Sequence, residues 1–284
     1  MQRRALLQAL PLTLLGGCAT AAKQPTLAEI EARSGGKLGL MALDTATGRR
    51  IGHRADERFA MCSTFKLPLA ACVLARVQAG GLQLQQAVPI SAADLVPYAP
   101  AVMARLPERA MTVSALCEAA VVLSDNAAAN LLLPLIGGPA GLTRWLRSLG
   151  DGVTRLDRNE PTLNTNLPDD PRDTTTPLAM AQLWQTLLTG PALSSPMREL
   201  LAHWLIESRT GLERLRAGLP TGWRAGDKTG TGERGAVNDV AIVWPPGRAP
   251  WVVACYLSGS SLPRAQLNAA HEAAMRVVVA AFNG

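Results

Sequence analysis

A chain of 284 residues, 48% of them apolar, is long enough to bury a sizeable core in one or two globular units. Its formal net charge of +6 is spread without a basic block and accompanied by only three Phe and two Tyr, so the basic-aromatic clusters that bind nucleic acid are missing and no nucleic-acid partner is expected. Of its 28 basic side chains only four are lysines, at 23, 37, 66 and 228; where arginine is the default cation, a retained lysine points to a task in which a proton must be lost.

The opening stretch, MQRRALLQALPLTLLGGCATAA, has a charged start, an apolar run from Ala5 to Leu15 and then small residues. It reads as an export signal, because the apolar run is shorter than the roughly 20 residues a spanning helix needs. Leu15-Gly16-Gly17-Cys18 has the form of a lipoprotein box in which Cys18 would be lipidated and become the new N-terminus. Arg3-Arg4 also suits twin-arginine export, and ordinary cleavage near Ala19-Thr20-Ala21 is the alternative. The chain is therefore expected to be exported to the periplasm with residues 1–18 as its signal, Cys18 being a candidate lipid anchor.

Beyond the signal, PTLAEIEARSGG reads as a short helix and KLGLMALDTATGRRIGHR as two strands about a Thr-Gly turn. From Ser63 to about Gly218 the apolar residues recur at helical spacing, as in STFKLPLAACVLARV, TVSALCEAAVVLSDNAAANLLLPLI and PLAMAQLWQTLLTG. WRAGDKTG, NDVAIVWP and WVVACYLSG then predict three strands, and PRAQLNAAHEAAMRVVVAAFN a closing helix. Strands at both ends imply a sheet assembled from the two termini, with the central helices as a second unit and a ligand site in the crevice between them. Residues 155–177, RLDRNEPTLNTNLPDDPRDTTTP, fit neither pattern; the opposed charges of Arg158 and Asp173 predict a compact, clamped loop.

Three short motifs carry the chemistry. In a helix starting at Ser63, Lys66 lies one turn on, so hydroxyl and amine can meet as nucleophile and base. The amine needs burial or a neighbouring cation to lose its proton near neutrality, since a free lysine titrates at about 10.4. Ser124-Asp125-Asn126 interrupts an apolar helical region; a helix cap accounts for it equally well when it is taken alone. Lys228-Thr229-Gly230, at the end of a predicted strand, offers a charge, a hydroxyl and a residue with no side chain to block approach, and a ligand carboxylate could pair there.

Ser-x-x-Lys, Ser-Asp-Asn and Lys-Thr-Gly in this order are the known signature of class A β-lactamases and penicillin-binding proteins. Glu160-Pro161-Thr162-Leu163-Asn164 matches the class A E-P-x-L-N pattern, and with it the chain resembles class A serine β-lactamases over nearly all of its mature length. The resemblance implies an α/β fold of the α+β type: an antiparallel five-stranded sheet built from both termini with flanking helices (19–62 and 215–284), plus an inserted all-helical domain (63–214). It implies hydrolysis of penicillin- and cephalosporin-type β-lactams through an acyl-serine, and hence β-lactam resistance. By position, Ser63 resembles the nucleophile, Lys66 its proton acceptor, Ser124 a proton shuttle to the lactam nitrogen, and Glu160 with Asn164 the pair that activates the hydrolytic water. Asn126 corresponds to the residue holding the substrate amide; Lys228, Thr229, Gly230 and Thr231 to the carboxylate strand; Tyr98 to an aromatic bordering the cleft. The backbone amides of Ser63 and Thr231 would form the oxyanion hole. Lys66 and Glu160 both stand as candidate bases for acylation, and Glu160 as the base for deacylation.

The departures from that pattern matter too. Val237 stands where many members carry an arginine, and Arg214 matches the alternative arginine of others. Gly232 stands where certain carbapenem-hydrolysing members carry a disulfide partner for Cys62, and no bond between Cys72 and Cys117 is expected, since Cys72 lies two residues, about 200° of helix, beyond the matching position. Pro68 should cost the nucleophile's helix one hydrogen bond. Gly230 to Gly235 satisfies G-x-G-x-x-G, but a strand follows where a nucleotide-binding helix must begin. His53, His203 and His271 are scattered and read as structural or surface residues, and neither a metal nor an organic cofactor is implied. Nothing demands an oligomer, and a monomer is expected. A D,D-peptidase and a β-lactam sensor share the acylation machinery, and Glu160 argues against both.

Overall fold

The computed structural model describes residues 24–284; the expected export signal and Cys18 lie outside the described residues. Thr26 opens α1 (Leu27–Ser34) by accepting a hydrogen bond from the Glu29 amide while the Glu29 carboxylate accepts from the Thr26 amide, and Gly35 at φ 68° closes it. In chain order there follow β1 (Lys37–Asp44), β2 (Arg50–His53), β3 (Phe59–Ala60), α2 (Lys66–Gln78), β4 (Ala87–Pro89), α3 (Pro100–Arg105), β5 (Ala110–Thr112), α4 (Val113–Val122) and α5 (Asn126–Leu132). The second half adds α6 (Gly138–Ser148), β6 (Thr174–Thr175), α7 (Pro177–Leu188), α8 (Ser195–Ile206), β7 (Arg224–Thr231), β8 (Val237–Trp244), β9 (Trp251–Ser258) and α9 (Arg264–Asn283).

The main sheet has five antiparallel strands in the order β2-β1-β9-β8-β7, so strands from the two termini build one sheet, meeting where β1 pairs with β9. The central strands β1 and β9 are apolar on both faces because both faces are covered. Leu38, Leu40 and Ala42 of β1 with Val253, Cys255 and Leu257 of β9 belong to one core with α1 and α9. Met41, Leu43, Val252, Ala254 and Tyr256 point the other way, into a core shared with the middle helices. Each fully buried aliphatic side chain contributes roughly 1.5–3 kcal/mol. Helix α2 is wrapped by that second core: every residue from Lys66 to Leu74 is buried, as expected of a helix apolar all round.

Two sequence expectations need correction. The nucleophile's helix does not start at Ser63: Cys62–Phe65 is a 3-10 turn and α2 begins at Lys66. Pro68 is therefore the third α-helical residue, within the first turn, where its missing N–H costs α2 no bond of its own. The apolar run that reads as one helix from Thr112 is also broken, α4 ending at Val122 and α5 starting at Asn126. Asp125 caps α5, its Oδ1 accepting from the Ala128 amide at 2.8 Å, while its Oδ2 accepts from the amides of Ala101 and Val102.

The loop over 155–177 is clamped as its charges suggest. Asp173, fully buried, accepts from the Arg158 guanidinium at 2.5 Å and from the backbone amides of Asp157 and Arg158. The Asp157 carboxylate in turn accepts from the Asp173 amide, and β6 at the loop's end pairs with β3. All four cysteines of the described residues, Cys62, Cys72, Cys117 and Cys255, are buried free thiols.

Candidate active site

The nucleophile turn is pressed against the free edge of β7. Gly230 makes this possible: a Cβ there would stand 2.6 Å from the Met61 carbonyl oxygen and 3.2 Å from the Ser63 nitrogen. Asn238 of β8 fastens the same turn, donating from Nδ2 to the carbonyls of Ala60 and Met61. A Cβ at Gly232 would lie 2.7 Å from the Cys62 sulfur, so the thiol is closed in by backbone where relatives of the pattern carry a partner cysteine.

Lys66 is fully buried, and its amine lies 2.9 Å from Ser63 Oγ, 2.9 Å from the Ser124 carbonyl, 2.5 Å from Asn126 Oδ1 and 3.0 Å from Glu160 Oε1. Burial pushes its pKa down, and the Glu160 carboxylate opposes that by holding the proton. The amine thus stands between two proton acceptors, the serine oxygen and the glutamate. Ser63 donates to Glu160 Oε1 at 3.1 Å, so the hydroxyl faces two candidate bases at once. Glu160 is itself held at both ends: Asn164 donates to its Oε2 at 2.6 Å, and Asn130 of α5 accepts from its backbone N–H and donates to its carbonyl.

Ser124 serves both lysines, which its backbone allows because it takes φ 59° between α4 and the Asp125 cap. Its carbonyl accepts from Lys66 and its Oγ accepts from Lys228, each at 2.9 Å. Lys228 is fully buried, and desolvation together with the nearby Lys66 lowers its pKa to about 7, against the pull of Asp227 and Asp239. Thr229 shares a 2.6 Å hydrogen bond with Thr210. Arg214, also buried, donates to the carbonyls of Gly230 and Asn238, to Asn268 Oδ1 and, at 2.8 Å, to Thr231 Oγ1. Val237 points instead into the core with α9, its carbonyl meeting His271 at 2.9 Å.

Ser63, Ser124, Asn126, Asn164, Thr229 and Thr231 open onto one cavity of about 430 Å³, with the 61% exposed Tyr98 at its mouth. Asn126 is less free than a pure substrate contact, since Oδ1 is engaged by Lys66 and Nδ2 donates to the Pro97 carbonyl. A larger cavity of about 620 Å³ lies behind the clamped loop, but neither Ser63 nor Glu160 lines it, its Ser258 hydroxyl is bonded to Asn166, and its Arg158 and Arg172 are paired with Asp173 and Asp170. The twelve candidate site residues, Ser63, Lys66, Tyr98, Ser124, Asn126, Glu160, Asn164, Arg214, Lys228, Thr229, Gly230 and Thr231, therefore lie at or directly behind one cavity. Sequence reasoning missed Asn130, Arg209, Thr210 and Arg264. Asn130, four residues after Asn126 in an apolar helix, carried a readable signal; the other three line the cavity only through chain crossings that no local pattern encodes.

Residues 23–282 match the model of the β-lactamase enzyme family. The chain is 48% identical over 263 residues to β-lactamase AST-1 of Nocardia asteroides, covering 93% of this chain and 84% of that one. It is also 48% identical over 264 residues to β-lactamase L2 of Stenotrophomonas maltophilia, covering 89% and 87%. Among solved structures it superposes on the class A β-lactamase of the last common ancestor of Gram-negative bacteria with a TM-score of 0.89 at 58% identity, covering 90% and 97% of the two chains. For a β-lactamase from Xanthomonas campestris the TM-score is 0.87 at 50% identity, covering 89% and 94%.

Proposed function

Because this chain belongs to the β-lactamase enzyme family as a class A member and hydrolyses the β-lactam ring, a reaction that confers β-lactam resistance, we propose that Ser63 is the atom it acylates and Glu160 the base that releases it. A base, neutral Lys66 or Glu160, takes the Ser63 proton while Oγ attacks the lactam carbonyl carbon. Charge developing on the carbonyl oxygen is met by the N–H groups of Ser63 and Thr231. As the C–N bond breaks, Ser124 delivers its proton to the nitrogen and takes another from the Lys228 ammonium bonded to its Oγ, Lys228 being recharged from solvent as the base gives up the Ser63 proton. Lys228, Thr229 and Thr231, backed by Gly230 and Arg214, bind the ring carboxylate; Asn126 and Tyr98 border the side chain.

Hydrolysis then needs a water held against the ester. Glu160 takes one proton from it, Asn164 orients it, oxygen adds to the ester carbonyl, and Oγ leaves with a proton. General-base assistance of this kind is worth about 10² to 10⁴ in rate, which separates turnover from a covalent trap. The observation that supports this assignment above others is the 3.1 Å approach of a buried Glu160 carboxylate to Ser63 Oγ, held in place by Asn130 and Asn164.

The same reading takes residues 1–18 as an export signal, the periplasm as destination and Cys18 as a candidate lipid anchor, with ordinary cleavage near Ala19-Thr20-Ala21 as the alternative, on the strength of the Arg pair, the short apolar run and the Leu-Gly-Gly-Cys box; among the described residues no helix is long and apolar enough to cross a membrane. It divides the chain at 62/63 and 214/215 and takes it as a monomer that uses neither metal nor cofactor. Mixing the purified protein with a chromogenic cephalosporin tests the core of it: sustained turnover is expected, and a stoichiometric burst that halts would overturn the role given to Glu160.

A further inference from the structure

The cavity that holds Ser63 is charged unevenly. Three guanidinium groups line it, those of Arg209, Arg214 and Arg264, and no carboxylate does. All three gather at the end formed by Thr229 and Thr231. Arg209 immediately precedes Thr210, whose hydroxyl is bonded to Thr229. Arg264 opens α9 four residues before Asn268, on the same helix face, and Asn268 accepts from the very guanidinium that holds Thr231. The part of the lining formed by Tyr98 and Asn126, which is bonded to the Pro97 carbonyl, carries no cation.

The three arginines are not equivalent. Arg214 is buried and spends its donors on Gly230, Asn238, Asn268 and Thr231. Arg209 and Arg264 are exposed, and among the described residues neither side chain makes a hydrogen bond or an ion pair. Arg264 is close enough for its charge to help lower the Arg214 pKa, so the two cations repel. The nearest buried acids are engaged elsewhere, Asp227 being ion-paired with Arg216 and Asp239 accepting from the Leu215 amide. Two unpaired cations at the rim of a cleft focus its field toward anions.

Resting on the reading that Lys228, Thr229 and Thr231 hold the ring carboxylate, we infer that Arg209 and Arg264 form a charge-selecting rim, which ranks β-lactams by the charge of the substituent beside that carboxylate. A second anionic group there is favoured, and a pyridinium or quaternary ammonium group is disfavoured. The residues act on encounter and binding, so the effect falls on kcat/KM and weakens with salt.

The test uses three cephalosporins with one common acylamino side chain, whose substituent next to the carboxylate-bearing carbon is neutral, cationic or anionic. kcat/KM is measured for the wild type and for the double variant Arg209→Gln/Arg264→Gln, at about 20 mM and about 300 mM salt. Comparing ratios between proteins cancels the intrinsic reactivities of the substrates. At low salt the anionic-to-cationic ratio should be about tenfold higher in the wild type than in the variant, and high salt should shrink that difference to about twofold or less. Equal thermal midpoints check that the variant is folded, as expected for two exposed side chains without partners. A ratio that the double substitution leaves unchanged, or a difference indifferent to salt, overturns the inference alone. Failure of the wild type to turn over any of the three overturns the parent reading as well.

Discussion

Replacing Glu160 by Gln keeps the volume of a fully buried side chain and removes its charge and its basicity. Two consequences follow from the geometry. The amide cannot accept a proton from water, so the loss of general-base assistance should slow release of the acyl group by about 10² to 10⁴. The second concerns Lys66, whose amine is 3.0 Å from the carboxylate. At an effective dielectric of about 20 a bare pair at that distance is worth about 5 kcal/mol, and it opposes the desolvation that drives the lysine toward neutrality. Without it the amine loses its proton more readily and becomes the better acceptor for Ser63. Acylation should therefore persist while deacylation stalls. Intact-chain mass spectrometry after mixing with a penicillin should show a near-stoichiometric adduct that outlasts the wild-type adduct by that same factor, with kcat reduced to match. A lone buried amine discharges rather than unfolding the protein, so denaturant midpoints should move little. An E160Q chain that turns over at the wild-type rate, or that never gains mass, refutes the reasoning.

Asn130→Ala removes both bonds that hold the Glu160 backbone, and leaves a buried N–H and C=O short of partners. Stability should fall by about 1–3 kcal/mol and kcat more than KM, measured by urea unfolding and steady-state kinetics. Lys228, with a pKa lowered to about 7 by burial and by Lys66, is charged below that value and discharges above it, so KM for carboxylate-bearing substrates should rise on the alkaline side. Lys228→Arg, which stays charged, should flatten that limb even if overall activity drops. His271 is buried and neutral, its pKa lowered from 6.5 to about 3, and its Nε2–H donates to the Val237 carbonyl. Between those values the unfolded chain binds the proton and the folded one does not, so stability is lost as pH falls from 6.5 toward 3, with a slope of up to about 1.4 kcal/mol per unit. His271→Gln should remove that slope from denaturation midpoints measured across the range, and parallel curves for the two proteins would contradict it.

Some of this site was open to reading before any fold was known, because it is local. The contact of Ser63 with Lys66 needs only three residues of helical geometry, and the i,i+3 spacing survives even though the turn at Ser63 is 3-10 rather than α. The clamp of Arg158 on Asp173 needs only opposite charges at the ends of one loop. The strand patterns likewise reveal that both termini enter one sheet, since alternation and turn residues are properties of short segments. The double nature of Ser124-Asp125-Asn126 was not separable in this way: Asp125 is a cap, as its residue type suggests, and its two neighbours face the cavity.

What the chain alone determined is therefore the inventory of chemistry and its local spacing: a serine with a lysine one turn on, a second lysine at a strand end, a glutamate in a polar loop. The folded molecule decided their relations. Glu160 reaches Ser63 across 97 residues only because Asn130 seats its loop against α5, and Arg214 backs Thr231 only because β7, β8 and α9 converge there. Arg209 and Arg264, remote from one another in sequence, meet on the same rim for the same reason. Helical and strand periodicities report on neighbours within a few residues, whereas these distances are set by how the edge of a sheet packs on a turn, a quantity distributed over the whole core.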